Sequence, residues 1–245
     1  MHGFVLAGGR SSRMGSDKAF LKLAGKPLIE HAVTKLRRVC DEVSILGSDP
    51  RLEKYAPIVP DIHPGCGPMG GMEAALLHPH SWHEWNLFLP VDVPFLPTAY
   101  LLMWAQHHWQ FEERIMGAFV SIFTVDDVPQ PTVAMIHRAV GPFLTQSLER
   151  REYKLLPAFE HAGRVLTESG GASSEFAEAL GLSRGVGVSK VPYWSEFESK
   201  PGRKPGESWR YTTAAQERES ARWFANLNTP EEFAEAERHV DALDT

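Results

Sequence analysis

The segment Phe4-Val5-Leu6-Ala7-Gly8-Gly9 constrains this chain more than any other. Residues 4–7 form an apolar run too short for a helix and stopped by paired glycines, the pattern of a buried strand feeding a glycine loop. Arg10-Ser11-Ser12-Arg13-Met14-Gly15-Ser16-Asp17-Lys18 follows directly. Glycines after a buried strand let backbone N–H groups approach a ligand's phosphates without Cβ obstruction. Ser11 and Ser12 add hydroxyl donors, Arg13 a fork of donors for phosphate oxygens, and Lys18 a compact point charge. An anionic polyphosphate fits this set; a glycine-rich turn carrying solvated charges is the plainer reading. The segment is neither a Walker A loop, which needs Gly-Lys-Ser/Thr, nor a dinucleotide fingerprint, since it holds no GxGxxG of its own.

Beyond the loop, strand and helix patterns alternate. Strands are expected at 43–46, 57–60, 85–91, 115–124 and 132–136. Helices are expected at 27–36, 69–77, from Pro97 to about His108, and from about Ala139 to Arg150. This rhythm argues for one α/β domain with a Rossmann-like, open, mostly parallel sheet and helices on both faces. Ligands bind such sheets at the carboxyl ends of the strands, so the loops after Ala7, Pro60 and Val91 are expected to share one site. Residues from about 163 to 222 break the rhythm with runs such as Ser199-Lys200-Pro201-Gly202-Arg203-Lys204-Pro205-Gly206. They read as a long insertion, partly ordered at best. Thr229-Pro230-Glu231-Glu232 then supplies an N-cap, a proline at N1 and a glutamate at N3 for a final helix.

Asp92 closes the apolar strand pattern at the start of Asp92-Val93-Pro94-Phe95-Leu96-Pro97. A carboxylate at a strand's carboxyl end is placed to hold Mg²⁺, and a turn-capping aspartate is the other reading. Asp61 precedes the glycine-rich run Gly65-Cys66-Gly67-Pro68-Met69-Gly70-Gly71, where a turn and tight helix–sheet packing are the bland alternatives. His78, His80 and His83, and the pair His107-His108, read as surface and helix-end residues rather than metal ligands. Trp82, Trp85, Trp104 and Trp109 read as packing residues. Net charge is −6, so no global basic field exists to hold nucleic acid or an anionic membrane. Cys40 and Cys66 fit neither a disulfide framework nor a zinc site. No run approaches membrane-spanning length and the N-terminal apolar run is short for a signal peptide, so a cytoplasmic protein is expected.

At Leu-Ala-Gly-Gly-x-Ser-x-Arg-Met-Gly-x-Asp-Lys-Ala, followed by Gly-x-Pro-Leu-Ile-Glu-His, the chain resembles the molybdenum-cofactor guanylyltransferase (MobA-like) family of nucleotidyltransferases. The resemblance implies a fold of the nucleotide-diphospho-sugar transferase type and nucleotide contacts from Leu6, Ala7, Gly8, Gly9 and Ser11. It further implies phosphate binding by Arg13 and Lys18, Mg²⁺ held principally by Asp92, and a nucleotide contact from Asp61. Gly-Pro-Met-Gly-Gly is similar to the family segment shaping the base and ribose side, which includes Gly70 and favours guanine over cytosine. Asn226-Leu227-Asn228-Thr229-Pro230-Glu231-Glu232 resembles the family's C-terminal motif, which sets Asn226 and Asn228 near the metal and acceptor phosphate. Pro131-Thr132-Val133-Ala134 resembles an acceptor-side strand. The implied reaction transfers GMP from GTP to molybdopterin, with hand-over to molybdoenzymes or their chaperones. CTP or sugar-phosphate chemistry, or a non-catalytic nucleotide-binding adaptor, are the competing readings.

Overall fold

The computed structural model of the protein describes residues 1–8, 17–79, 83–112, 118–169, 188–192 and 212–244. In chain order the strands are β1 (His2–Leu6), β2 (Lys22–Leu23), β3 (Lys26–Pro27), β4 (Glu42–Leu46), β5 (Ile58–Val59), β6 (Trp85–Pro90), β7 (Val120–Val125), β8 (Val128–His137) and β9 (Val188–Pro192). The helices are α1 (Leu28–Arg37), α2 (Pro68–Leu77), α3 (Thr98–Glu112), α4 (Gly141–Glu149), α5 (Leu155–Ser169), α6 (Ala214–Arg218) and α7 (Pro230–Ala236).

Seven strands form one sheet in the order β5-β4-β1-β6-β8-β7-β9, while β2 and β3 form a separate hairpin. β1 pairs in parallel with β4 and β6, β4 with β5, and β7 with β9. β8 is antiparallel to both its neighbours. The chain therefore moves outward from β1 through β4 to β5, then returns to lay β6 on the other side of β1. That reversal opens a crevice at the carboxyl ends of β1 and β6, where open α/β sheets take their ligands.

Alternating side chains of each central strand feed opposite faces, as the two-residue period of a strand requires. Val5, Ile45, Leu87, Leu89 and Met135 pack with α1, α3 and the C-terminal residues Trp223, Phe224 and Leu227. Phe4, Leu6, Leu46, Phe88 and Ile136 pack with α2, α4 and α5. Both faces are thus covered, which explains why β1 and β6 are apolar at nearly every position.

Three features depart from the sequence expectation. β8 runs from 128 rather than 132 and reverses from β7 through Asp126 and Asp127, both at positive φ (48° and 61°). That geometry is the two-residue hairpin turn whose hand matches strand twist. Second, the α3 helix continues to Glu112. Third, the stretch from about 163 to 222, expected as a partly ordered insertion, carries regular elements. α5 continues to Ser169, β9 joins the sheet edge beside β7, and α6 opens on a full Thr213–Gln216 capping box. Val188 within it, 4% exposed, finds partners on the sheet that local composition does not reveal. The remainder of that stretch, 170–187 and 193–211, lies outside the described residues, as do His80 and Trp82.

The C-terminal segment is fastened by one carboxylate. Asp244 forms an ion pair with Lys35 of α1, itself 2% exposed. It also accepts hydrogen bonds from Thr98 N (3.0 Å), Thr98 Oγ1 (2.6 Å) and Gln216 Nε2 (2.9 Å). Burial opposes its ionisation, yet Lys35 and the Thr98 donors outweigh burial and hold its carboxyl below the usual range.

Candidate active site

The site begins where β1 ends. Leu6 is buried, Ala7 half-buried and Gly8 exposed, so the chain surfaces over three residues at the sheet's carboxyl edge. Ala7 N donates to Leu46 O (3.1 Å) and Val91 N to Leu6 O (3.2 Å), which carries the parallel pairing past the strand ends on both sides. Leu6 pairs with Pro90; Gly8 and Asp92, each two residues further along, therefore flank the same crevice. Gly9, Ser11 and Arg13 lie outside the described residues.

Lys18 re-enters the site from a short 3₁₀ turn, Lys18–Phe20. Asp17 caps that turn by accepting from Ala19 N (3.1 Å), and Leu21 N donates to Lys18 O (3.1 Å). With Ala19 fully buried, the backbone of Lys18 is fixed and only its side chain is free to swing. Its ammonium donates to Asp92 Oδ2 (2.9 Å) and to Asn228 Oδ1. The Lys18 and Asp92 side chains are only 17% and 18% exposed, so solvent and salt screen their charges weakly. Three of the expected residues, from distant parts of the sequence, thus meet at one point.

Asn228 is held there by two devices. Leu227 N donates to Asp92 O (2.9 Å), which stitches the C-terminal segment to the loop after β6. Glu232 accepts from both Asn228 N and Thr229 N, while Thr229 Oγ1 accepts from Glu232 N (3.2 Å). The capping box expected at 229–232 is present, and its glutamate also orients the asparagine before the cap, a role the capping pattern alone does not reveal. Asn226 is exposed and lines, with Asn228, a cavity of about 560 Å³ walled by Phe95, Arg222, Leu227 and Glu235. Arg222 is the unexpected residue in this wall; Glu219 (2.8 Å) and Glu235 (2.8 Å) hold its guanidinium.

Asp61 sits at the other end of the carboxyl edge, beyond β5 and two strand spacings from β1, or about 10 Å. It is half-buried and lies against the first turn of α2, where a Cβ added at Gly70 or Gly71 would stand 3.5 Å from its carboxylate oxygens. Gly70 is needed for a closer reason: its added Cβ would fall 2.8 Å from His63 O. Burial, and then the charge of Glu73, push the Asp61 carboxyl above the usual range. Glu73 is fully buried in α2 and accepts from His63 Nδ1 (2.7 Å) and Thr145 Oγ1 (2.6 Å). It fixes the loop carrying Asp61 to α2 and α4. Sequence reading passed over Glu73, since a lone glutamate in an apolar helix gives no sign of its partners.

Asp92 Oδ2 and Asn228 Oδ1 are hard oxygen donors converging on one cationic group, the donor chemistry that Mg²⁺ takes. Among the described residues no cluster of three or more His, Cys, Asp or Glu could hold a metal, and no helix is long and apolar enough to cross a membrane.

Comparison with known proteins gives a consistent likeness. A family model described as the MobA-like NTP transferase domain matches residues 3–164. The molybdenum cofactor guanylyltransferase of Serratia proteamaculans is 34% identical over 166 residues, which are 66% of this chain and 80% of that protein. Its namesake in Yersinia pestis is 35% identical over 159 residues, 63% and 77% of the two chains. Among solved structures, the molybdopterin-guanine dinucleotide biosynthesis protein A of Archaeoglobus fulgidus aligns over 99% of this chain and 100% of its own. Its TM-score is 0.67 and its identity 20%. A nucleotidyl transferase from Methanothermobacter aligns over 97% and 96%, with a TM-score of 0.59 and 16% identity. The solved structures establish the likeness of fold.

Proposed function

Because this chain belongs to the MobA-like NTP transferase family, we propose that it transfers GMP from GTP to the terminal phosphate of molybdopterin, releasing pyrophosphate, with Mg²⁺ as cofactor. The observation that carries this reading is the meeting of Lys18, Asp92 and Asn228 beside the glycine turn, at the sheet's topological switch point. Two curated relatives named molybdenum cofactor guanylyltransferase support the choice of base and acceptor.

In the proposed reaction an acceptor phosphate oxygen attacks the α-phosphorus of GTP in line. The new O–P bond forms as the α–β bridging bond breaks, and its electron pair leaves with pyrophosphate. The attacking oxygen is already anionic near neutral pH, so no strong general base is needed. Positioning and charge neutralisation supply the acceleration. The glycine-rich sequence after β1 suits phosphate binding by backbone N–H groups, and Lys18 neutralises charge building on the leaving group. Asp61, at the far end of the edge, lies on the nucleoside side. Asp92, with Asn228 beside it, would hold Mg²⁺, which when bound polarises phosphate oxygens as a Lewis acid. The cavity beside Asn226 and Asn228 leaves room for the acceptor.

The test is a mass-detected transfer assay offering GTP, CTP and sugar phosphates alongside molybdopterin. Guanylylation of molybdopterin, lost in Asp92→Ala with circular dichroism unchanged, is the expected outcome. Turnover by Asp92→Ala at the wild-type rate would remove Asp92 from the mechanism, and transfer only from CTP or only to a sugar phosphate would overturn the substrate assignment. GTP binding with no pyrophosphate release under any acceptor would make the protein a binding module instead.

A further inference from the structure

We infer that the Lys18 ammonium and the divalent cation compete for one seat between Asp92 and Asn228, so that the metal gains this site only when a polyphosphate draws Lys18 away. The inference rests on the reading of Asp92 as the metal ligand given above, and adds an order and a coupling to it.

The geometry is specific. Lys18 Nζ donates at once to Asp92 Oδ2 (2.9 Å) and to Asn228 Oδ1. These are the oxygens offered to Mg²⁺, and a coordinated Mg²⁺ needs them at roughly 2.0–2.1 Å. An ammonium hydrogen-bonded to both oxygens fills that space, and a second positive charge beside it in a weakly screened pocket is repelled. The two cations therefore exclude one another. Lys18 can yield without disturbing the fold: its backbone is pinned by the Asp17 cap and the buried Ala19, whereas the charge rides on a flexible four-carbon stem. Asn228 has less freedom to yield, because its side chain is short and its backbone is held by Leu227 N on Asp92 O and by Glu232 on Asn228 N. A polyphosphate bound in the proposed reaction offers the Lys18 ammonium an alternative anionic partner.

Two consequences follow by linkage. Polyphosphate binding raises metal affinity beyond what direct metal–phosphate contact gives, and metal binding raises polyphosphate affinity by the same factor. Lys18 thereby acts as a placeholder that keeps the aspartate–asparagine pair from taking a free cation.

The experiment measures binding of Mn²⁺ alone, by electron paramagnetic resonance, to full-length wild type, Lys18→Met, Lys18→Gln, Lys18→Met/Asp92→Asn and Lys18→Met/Asn228→Ala. Titrations are repeated with GTP present, and circular dichroism checks the fold. Without nucleotide, Lys18→Met and Lys18→Gln should bind Mn²⁺ about tenfold or more tighter than wild type, within the usual range of coupling between linked sites. Both double variants should lose that gain. Equal nucleotide-free Mn²⁺ affinity in wild type and the two folded Lys18 variants would overturn the competition. If one Lys18 substitution fails to fold, the other decides. Should Asp92→Asn, tested as a single variant, leave Mn²⁺ binding with GTP unchanged, the metal role of Asp92 itself falls, an outcome distinct from loss of the competition alone.

Discussion

Gly70→Ala is the most informative single substitution away from the charged cluster. Gly70 lies in the first turn of α2, where alanine is intrinsically preferred over glycine by about 1 kcal/mol. Against that gain, the added Cβ would sit 2.8 Å from His63 O, a backbone atom, and 3.5 Å from Asp61 Oδ2. Carbon–oxygen contacts relax at about 3.3 Å or more, so the loop carrying His63 must retreat by roughly 0.5 Å. That loop is tied by the 2.7 Å bond from His63 to buried Glu73, so the retreat strains a second contact. Forced overpacking of this kind costs about 1–3 kcal/mol, and the clash outweighs the propensity gain. The same shift moves Asp61. A displacement of about 1 Å near a site can cost a hundredfold in rate, and half of that corresponds to about tenfold in kcat/KM for GTP. Gly71→Ala is the control: its Cβ would meet chiefly the Leu46 side chain, at 3.2 Å and 3.4 Å, rather than a backbone oxygen. Urea unfolding and steady-state kinetics on both variants give the comparison. A Gly70→Ala protein as stable as wild type with unchanged kcat/KM would refute the reasoning, because it would mean the Asp61 loop is not seated on that helix turn.

Glu73→Gln replaces one accepting oxygen by an amide that cannot accept from both His63 Nδ1 and Thr145 Oγ1. A loss of about 1–3 kcal/mol in urea unfolding is expected, as for a buried polar group left unsatisfied. Asp244→Ala strands the buried Lys35 ammonium and should cost about 3–5 kcal/mol. Lys35→Met in the same chain should recover much of that loss, and no recovery would assign the effect to the Thr98 and Gln216 bonds instead. His2 supplies a pH dependence, since burial lowers its pKa to about 4 in the fold. Its contribution is fully present above about pH 6.5 and is lost as pH falls toward 4, because the unfolded chain takes up the proton first. The total is roughly 3 kcal/mol. Urea midpoints at pH 7 and pH 4.5 should therefore converge in His2→Phe relative to wild type, and parallel pH profiles would reject the assignment.

Much of the architecture is written locally. The apolar period of β1 and β6, the glycine stop after Ala7, Pro68 at the head of α2 and the Thr229–Glu232 capping box each specify an element from its own few residues. Such signals depend on backbone conformation and on which face is apolar, and neighbours in sequence set both. The position of Asp92 after β6 followed for the same reason, because a strand's end fixes where the next residue emerges.

What the sequence alone determined is therefore a mostly parallel α/β sheet with a glycine turn and an acidic loop at one edge. The tertiary structure alone decided which side chains meet there. Lys18 reaches Asn228 across 210 positions, Asp244 gathers Lys35, Thr98 and Gln216, and β9 joins the sheet from a stretch whose composition suggested an insertion. The antiparallel placement of β8 was likewise set by packing beside β6. No local period encodes such pairings. They arise when buried charges and unpaired strand edges, costly without partners, find them in segments that only the folded chain brings together.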